Sequence, residues 1–335
     1  MACDAFSRSP PRRHGETPPG REHAHSSRAA APARNGGRLS TVEPIVILGA
    51  GGFIGRALSA RLAAHNVLAR AVTRENTGTL NAKTDWPALL EGAQIVIHLA
   101  TGASPRLERA RFGDEIATAE ALGRAAQRCG IARLILMSSI RAMGENSGAE
   151  PFRADRTPLP SDEYGRAKLA IEAALAGAPG LAILRPPLVY GPRVRDSFKT
   201  LMTAVAHGVP LPVASIRNRR AFIFFENLLD VIEIFLAAEA PAGNYLLRDD
   251  EEVSTPELVR RIARHLGRTP RIFPFPSGLL RHALEAAGRG YMARGLIGSL
   301  SIDDGATRAR LNWRPRVTLD EGLATTCRAF RDGAS

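Results

Sequence analysis

At 335 residues, with 44% hydrophobic and 23% charged side chains, the chain can bury one large core, or one core with an added lobe. Its formal net charge of +12 suits anionic substrates and dinucleotides; the basic residues are dispersed, with no aromatic-rich RNA signature and no DNA-reading helix motif, so nucleic acid is not an expected partner. Cys3, Cys129 and Cys327 lie far apart, which excludes a disulfide framework and gives no metal-ligand spacing, so no metal is expected and a reducing cytoplasm is the expected setting.

Residues 1–43 are rich in Pro, Arg, Ala, Ser and His and show no apolar period. They read as a disordered N-terminal extension without the apolar stretch of a secretory signal. After Pro44, Ile45–Leu48 is a short apolar run rich in β-branched residues, as in a strand buried on both faces. Gly49, Gly52 and Gly55 follow, and then Ala57, Leu58, Leu62 and Ala63 at helical spacing. Strand, glycine turn and helix together form a phosphate cradle. Gly49 permits a tight turn, Gly52 lets backbone N–H groups reach a pyrophosphate, and Gly55 lets the helix pack closely on the strand.

Strands are predicted at Val67–Val72, Gln94–Leu99, Arg133–Ser138 and Leu181–Arg185, the last stopped by Pro186-Pro187. Helices are predicted around Trp86–Leu90, over about Leu107–Cys129, and from an N-cap at Ser161 to Leu175. The alternation implies an α/β fold: a Rossmann-type doubly wound parallel sheet that binds ligands at the strand C-terminal ends. Further on, helices are expected at Asp196–His207 and Leu228–Ala238, strands at Ala221–Phe225 and Asn244–Leu247, and a helix capped by Thr255 and ending near Gly267. Residues 44–185, with about 221–248, are read as the NAD(P)-binding domain. Residues 186–220 and 249–330 are read as a smaller, discontinuous substrate lobe. The weakly apolar stretch Leu279–Leu300 carries Arg281, Glu285, Arg289 and Arg294, and is no membrane span.

The chemistry is carried by Tyr164 and Lys168, one helical turn apart and so on one face. A hydride leaving an alcohol carbon must be matched by a proton leaving its oxygen. Tyrosine serves if its pKa, ordinarily about 10, is brought down towards neutral by a nearby ammonium. Lys168 can reach both the phenol and a cofactor ribose. Ser139, just past the fourth strand, can hold the reacting oxygen.

Together with His98-Leu-Ala100, Leu184-Arg-Pro-Pro-Leu-Val-Tyr-Gly-Pro192, Arg217-Asn-Arg-Arg220, Glu226-Asn-Leu-Leu-Asp230 and Leu311-Asn-Trp-Arg-Pro315, these motifs cover nearly all of residues 45–325. The chain resembles the extended short-chain dehydrogenase/reductase family, in its nucleotide-sugar branch of NAD-dependent epimerases and dehydratases. Ser138-Ser-Ile-Arg-Ala-Met-Gly-Glu145 and Val209-Pro-Leu-Pro212 look like UDP-N-acetyl-sugar 4-keto reductases and epimerases of surface-polysaccharide synthesis.

The resemblance implies Ser139, Tyr164 and Lys168 as the catalytic set. It implies Phe53, Ile54, Leu99, Ala100 and Pro187 along the cofactor, together with the glycines. Asp85 is expected near the adenine, with Trp86 either stacked on it or packed in the core. Leu188 and Ser197 stand where many relatives have asparagines facing the sugar nucleotide. Arg220 is expected on the substrate pyrophosphate, where a guanidinium fork matches phosphate oxygens. Relatives often dimerise through the two long helices flanking the site, so the resemblance admits a homodimer.

Departures matter too. Where the family often ends the second strand with an acid for the ribose hydroxyls, this chain has Thr73-Arg74. An arginine there accommodates a 2′-phosphate, favouring NADP(H) over NAD(H). Dehydratases carry Asp-Glu after the catalytic hydroxyl residue; here Ile140-Arg141 argues against dehydration. The expected reaction is reduction of a UDP-4-keto-6-deoxy-N-acetylhexosamine by NAD(P)H. The alternatives are a UDP-sugar C4 epimerase with tightly held NAD, a non-catalytic cofactor sensor on the same fold, and a hydroxysteroid-type reductase. The arginines at 217, 219 and 220 argue against the steroid.

Overall fold

The computed structural model describes residues 45–100, 109–237 and 239–333. The long helix read from Leu107 and the helix read to Ala238 each extend outside them, as do the extension 1–43 and Cys3. All described residues fall in one compact unit.

The chain runs β1 (Ile45–Leu48), α1 (Phe53–Ala64), β2 (Ala69–Val72), α2 (Arg74–Thr77), α3 (Trp86–Leu90), β3 (Ile95–His98), α4 (Arg109–Arg128) and β4 (Arg133–Met137). A single 3₁₀ turn at Ile140–Ala142 follows, then α5 (Glu163–Ala174), β5 (Ala182–Arg185), β6 (Leu188–Tyr190) and α6 (Asp196–Ala206). The remainder is β7 (Phe222–Phe224), α7 (Phe225–Ile234), β8 (Gly243–Leu246), α8 (Thr255–Leu266), α9 (Ser277–Ala286), α10 (Gly290–Ile297), α11 (Gly305–Leu311) and α12 (Leu319–Arg331).

Six strands form a parallel sheet in the order β2-β1-β3-β4-β5-β8. Leu48 pairs with both Val72 and His98, so these three strands end level. The chain order reverses between β1 and β3, which opens a crevice outside their carboxyl ends. Period-two alternation explains the layers. Ile45 and Ile47 face one apolar layer with Leu58, Leu62, Leu228 and Ile232. Val46 and Leu48 face the other, with Leu122, Ala125, Ile171 and Leu175. Each such Val, Leu or Ile side chain contributes about 1.5–3 kcal/mol on burial.

Pro186 and Pro187 do end β5, but extended chain resumes one residue later as β6. It pairs with β7 in a separate two-stranded parallel sheet. Of the segment 221–248, therefore, β7 belongs to this small sheet, while α7 and β8 pack on the large one. A third apolar cluster gathers Tyr190, Phe198, Phe222, Phe224, Ile262 and Leu323 beneath the small sheet. Asp249 fastens it. Its carboxylate accepts from the Tyr190 hydroxyl at 3.0 Å, the Phe224 N–H at 3.0 Å and the Asn227 amide at 2.7 Å.

Two caps differ from expectation. Asp162, not Ser161, caps α5, accepting from the Gly165 N–H at 2.9 Å. The Ser161 hydroxyl donates instead to Glu145. Ser254, not Thr255, caps α8, leaving the Thr255 hydroxyl to donate to the Leu296 carbonyl of α10 at 2.6 Å. In both cases two adjacent residues could cap, and a distant acceptor decides which one does.

Candidate active site

The turn after β1 has the geometry that its glycines require. Gly49 has φ +89°, and a Cβ there would lie 2.7 Å from the Ala100 nitrogen. At Gly55 a Cβ would overlap the Gly49 carbonyl and sit 2.6 Å from Ala50 Cα. Gly52 precedes α1 with no side-chain cap, so the first-turn N–H groups are left for an outside acceptor. Gly52 itself lines a cleft of about 960 Å³, together with Gly49, Gly51, Thr73, Arg74, Leu99 and Ala100 among others. Close backbone approach, free N–H groups and adequate volume fit a dinucleotide.

The side chains of the other expected cofactor residues are engaged in packing and capping. Phe53 packs on Phe225 with ring centroids 5.9 Å apart, and Ile54 packs against the large core. The Asp85 carboxylate caps α3 by accepting from the Ala88 N–H at 3.2 Å. Trp86 is buried with Leu90 and Val96, as in the packing alternative. Pro187 is buried at the start of the link to β6. None of these five lines the cleft. Glu75, which sequence reasoning passed over, does line it, beside Arg74. Its carboxyl is held below its ordinary value by a hydrogen bond with the Thr73 side chain. The signal was its place immediately after Arg74 at the end of β2.

The three residues expected to carry the chemistry converge. Ser139 follows β4, and Tyr164 and Lys168 occupy successive turns of α5. The Ser139 hydroxyl stands beside the Tyr164 phenol and favours its ionised form. Lys168 Nζ stands 5.6 Å from the Tyr164 ring centroid. Lys168 also interacts with His98 and Glu115, which line the cleft, so the trio stands at its end. Burial pushes Lys168 down to about 8, against the attraction of Glu115 and Glu172. It likewise pushes Tyr164 up to about 12, opposed by the Ser139 hydroxyl and the Arg141 charge. At Tyr164 desolvation outweighs the Ser139 and Arg141 contributions. His98, buried with its Nδ1 unpartnered among the described residues, is pushed down to about 4 by burial and then by Lys168.

A buried network supports the trio. Glu172, one turn beyond Lys168, accepts from Arg185 at 3.0 and 2.6 Å and from the Ser138 hydroxyl. It thereby ties α5 to the ends of β4 and β5. Arg220 donates to the Gly298 carbonyl at 3.2 Å and is pushed down to about 10 by burial and by Arg141, which sets it near the trio. Leu188 is half-buried in β6, and Ser197 is exposed in the first turn of α6.

Residues 45–246 match the family model described as NAD dependent epimerase/dehydratase family. A UDP-glucose 4-epimerase of Vibrio cholerae is 30% identical over 311 residues, 85% of this chain and 95% of that protein. Among solved structures, MoeE5 in complex with UDP-glucose and NAD aligns at TM-score 0.70 and 22% identity, over 87% of this chain and 100% of that one. The UDP-glucose 4-epimerase of Thermotoga maritima, with UDP-glucose, also aligns at 0.70, with 20% identity over 87% and 100%.

The chain belongs to the NAD-dependent epimerase/dehydratase family and is an enzyme of the extended short-chain dehydrogenase/reductase type, in the nucleotide-sugar branch. Among the described residues no helix is long and apolar enough to cross a membrane.

Proposed function

We propose that the protein is a UDP-hexose 4-epimerase that keeps its dinucleotide bound. The observation that carries this reading is the juxtaposition of Ser139 and Tyr164, with Lys168 beside the ring, at the end of a glycine-lined cleft. A bound nicotinamide dinucleotide would supply the acceptor and the donor of a hydride at C4. Gly49 and Gly52 would admit its pyrophosphate. Tyr164 Oη takes the proton of the C4 hydroxyl as that carbon is oxidised, and returns it when the 4-keto sugar is reduced on its other face. Ser139 Oγ holds the same oxygen, and the Lys168 ammonium favours the phenolate. Arg220 reads the substrate pyrophosphate from the lobe formed by residues 186–220 and 249–330.

This order of readings reverses the one expected from the sequence. The V. cholerae relative, matched over nearly all its length, supports epimerisation. Reduction of a 4-keto sugar remains the second reading, favoured by the neutral Tyr164, a proton donor as it stands. Arg74 supports NADP(H) for that reaction and the adjacent Glu75 supports NAD(H) for epimerisation, since a carboxylate suits ribose hydroxyls and repels a 2′-phosphate.

The test uses UDP-glucose and UDP-N-acetylglucosamine without added cofactor, with products separated by chromatography. Interconversion of C4 epimers without net change in nicotinamide absorbance is expected. Stoichiometric consumption of NADPH by a UDP-4-keto-6-deoxyhexosamine, without epimerisation, would establish the second reading. Neither reaction would overturn the substrate class.

A further inference from the structure

We propose that Arg141 is a positioning residue for Tyr164, holding a second cation against the phenol and fixing the helix that carries it; this rests on Tyr164 being the proton-transfer group. Arg141 sits in the 3₁₀ turn directly after Ser139. Its backbone N–H donates to the Ser139 hydroxyl oxygen at 3.2 Å. Its guanidinium carbon stands 5.4 Å from the Tyr164 ring centroid, as near as the Lys168 ammonium at 5.6 Å. One residue thus touches both Ser139 and Tyr164.

The guanidinium is anchored rather than free. It pairs with the carboxylates of Asp162 and Glu145. The same Asp162 caps α5 through its other oxygen, two residues before Tyr164. The first turn of α5 is also pressed onto the 3₁₀ turn: a Cβ at Gly165 would overlap the Arg141 carbonyl. Glu145 accepts in turn from Arg294 of α10 at 2.9 Å, linking this end of the cleft to the far part of the chain.

The groups that set the Tyr164 proton equilibrium come from every neighbouring element. Arg141 comes from the 3₁₀ turn, Asp162 from the cap of α5, Glu115 from α4, and Lys168 and Ser139 from the trio. Glu145, Arg294 and Arg220 surround Arg141 itself. Removing the guanidinium takes away a positive charge beside the phenol and leaves Asp162 and Glu145 uncompensated, so the Tyr164 midpoint is expected to rise by about one pH unit.

The test reads Tyr164 directly, apart from any substrate. The protein saturated with NAD⁺ is labelled with ¹³C at tyrosine Cζ, the signal is assigned with Tyr164→Phe, and the midpoint is followed by NMR. Arg141→Gln is expected to move it up by about one unit. Arg141→Lys keeps the charge and is expected to restore most of the shift. Asp162→Asn keeps a helix cap but loses the anchor, and is expected to move it by less. Circular dichroism checks that each variant is folded. Equal midpoints in the wild type, Arg141→Gln and Arg141→Lys would overturn the proposal. Failure of the epimerase reading would show separately, as no turnover of UDP-sugars with the midpoints still displaced.

Discussion

The glycine end of the cleft is made of backbone, and the end proposed for catalysis is made of polar and charged side chains. At the first end the shape comes from Gly49, Gly52 and Gly55, within seven residues of chain, and at Gly49 and Gly55 no side chain would fit. At the second end Ser139, Arg141, Glu145, Tyr164, Lys168, Glu172, Arg185 and Arg220 arrive from four separate segments, and ion pairs join Arg141 to Glu145 and Arg185 to Glu172. The difference teaches where each end is vulnerable. The backbone end fails by overlap, and the side-chain end fails by an uncompensated charge.

The largest effect is expected at the reacting group. Tyr164→Phe should lower turnover by about 10²–10⁴-fold while leaving dinucleotide affinity, read by calorimetry, unchanged. A parallel loss of affinity would show that the two ends are not independent. Next comes Glu172→Gln, which leaves the Arg185 guanidinium buried without its anion and should cost about 3–5 kcal/mol in urea denaturation. Combining it with Arg185→Met should recover much of that loss; no recovery would mean that Glu172 acts through Ser138 instead.

His98 gives a pH signature. Its folded-state pKa, about 4, lies below its ordinary 6.5, so the unfolded chain binds the proton more readily. The stability it contributes is complete above pH 6.5 and is lost as pH falls towards 4. The loss is about 3 kcal/mol. Urea midpoints of the wild type and His98→Asn should therefore converge over that range, and parallel curves would contradict the assignment.

At the backbone end, Gly55→Ala forces a methyl against main-chain atoms and should cost about 1–3 kcal/mol in thermal unfolding, with weaker NAD binding. An unchanged variant would mean that the turn relaxes freely. The smallest effect concerns Glu75. Glu75→Gln should shift the ratio of NADPH to NADH dissociation constants a few-fold towards NADPH, and no shift would leave Arg74 as the selecting residue.

The sequence disclosed the backbone end better than the other because its cause is local. The run Ile45–Leu48, the glycine spacing and the apolar period of α1 each speak for neighbouring residues. The same holds for the α/β alternation and for Tyr164 and Lys168 on one helical face. Cooperation at a distance was not legible. That Asp162 rather than Ser161 caps α5 depends on Glu145 accepting from Ser161. β6 escaped notice because two prolines stop β5, and its pairing with β7 crosses more than 30 residues. The high proton affinity of Tyr164 comes from burial, which no spacing reveals. The family resemblance supplied the motif of Asp85, but the side chain there is occupied in capping α3.

The most direct measurement follows the hydrogen at C4. UDP-glucose carrying deuterium at C4 is incubated with the protein, and the product is examined by proton NMR. The expected result is the C4 epimer with deuterium still on C4, formed without added cofactor and suppressed in Tyr164→Phe. Inversion with loss of deuterium to water, or inversion undiminished in Tyr164→Phe, would contradict hydride transfer by this site.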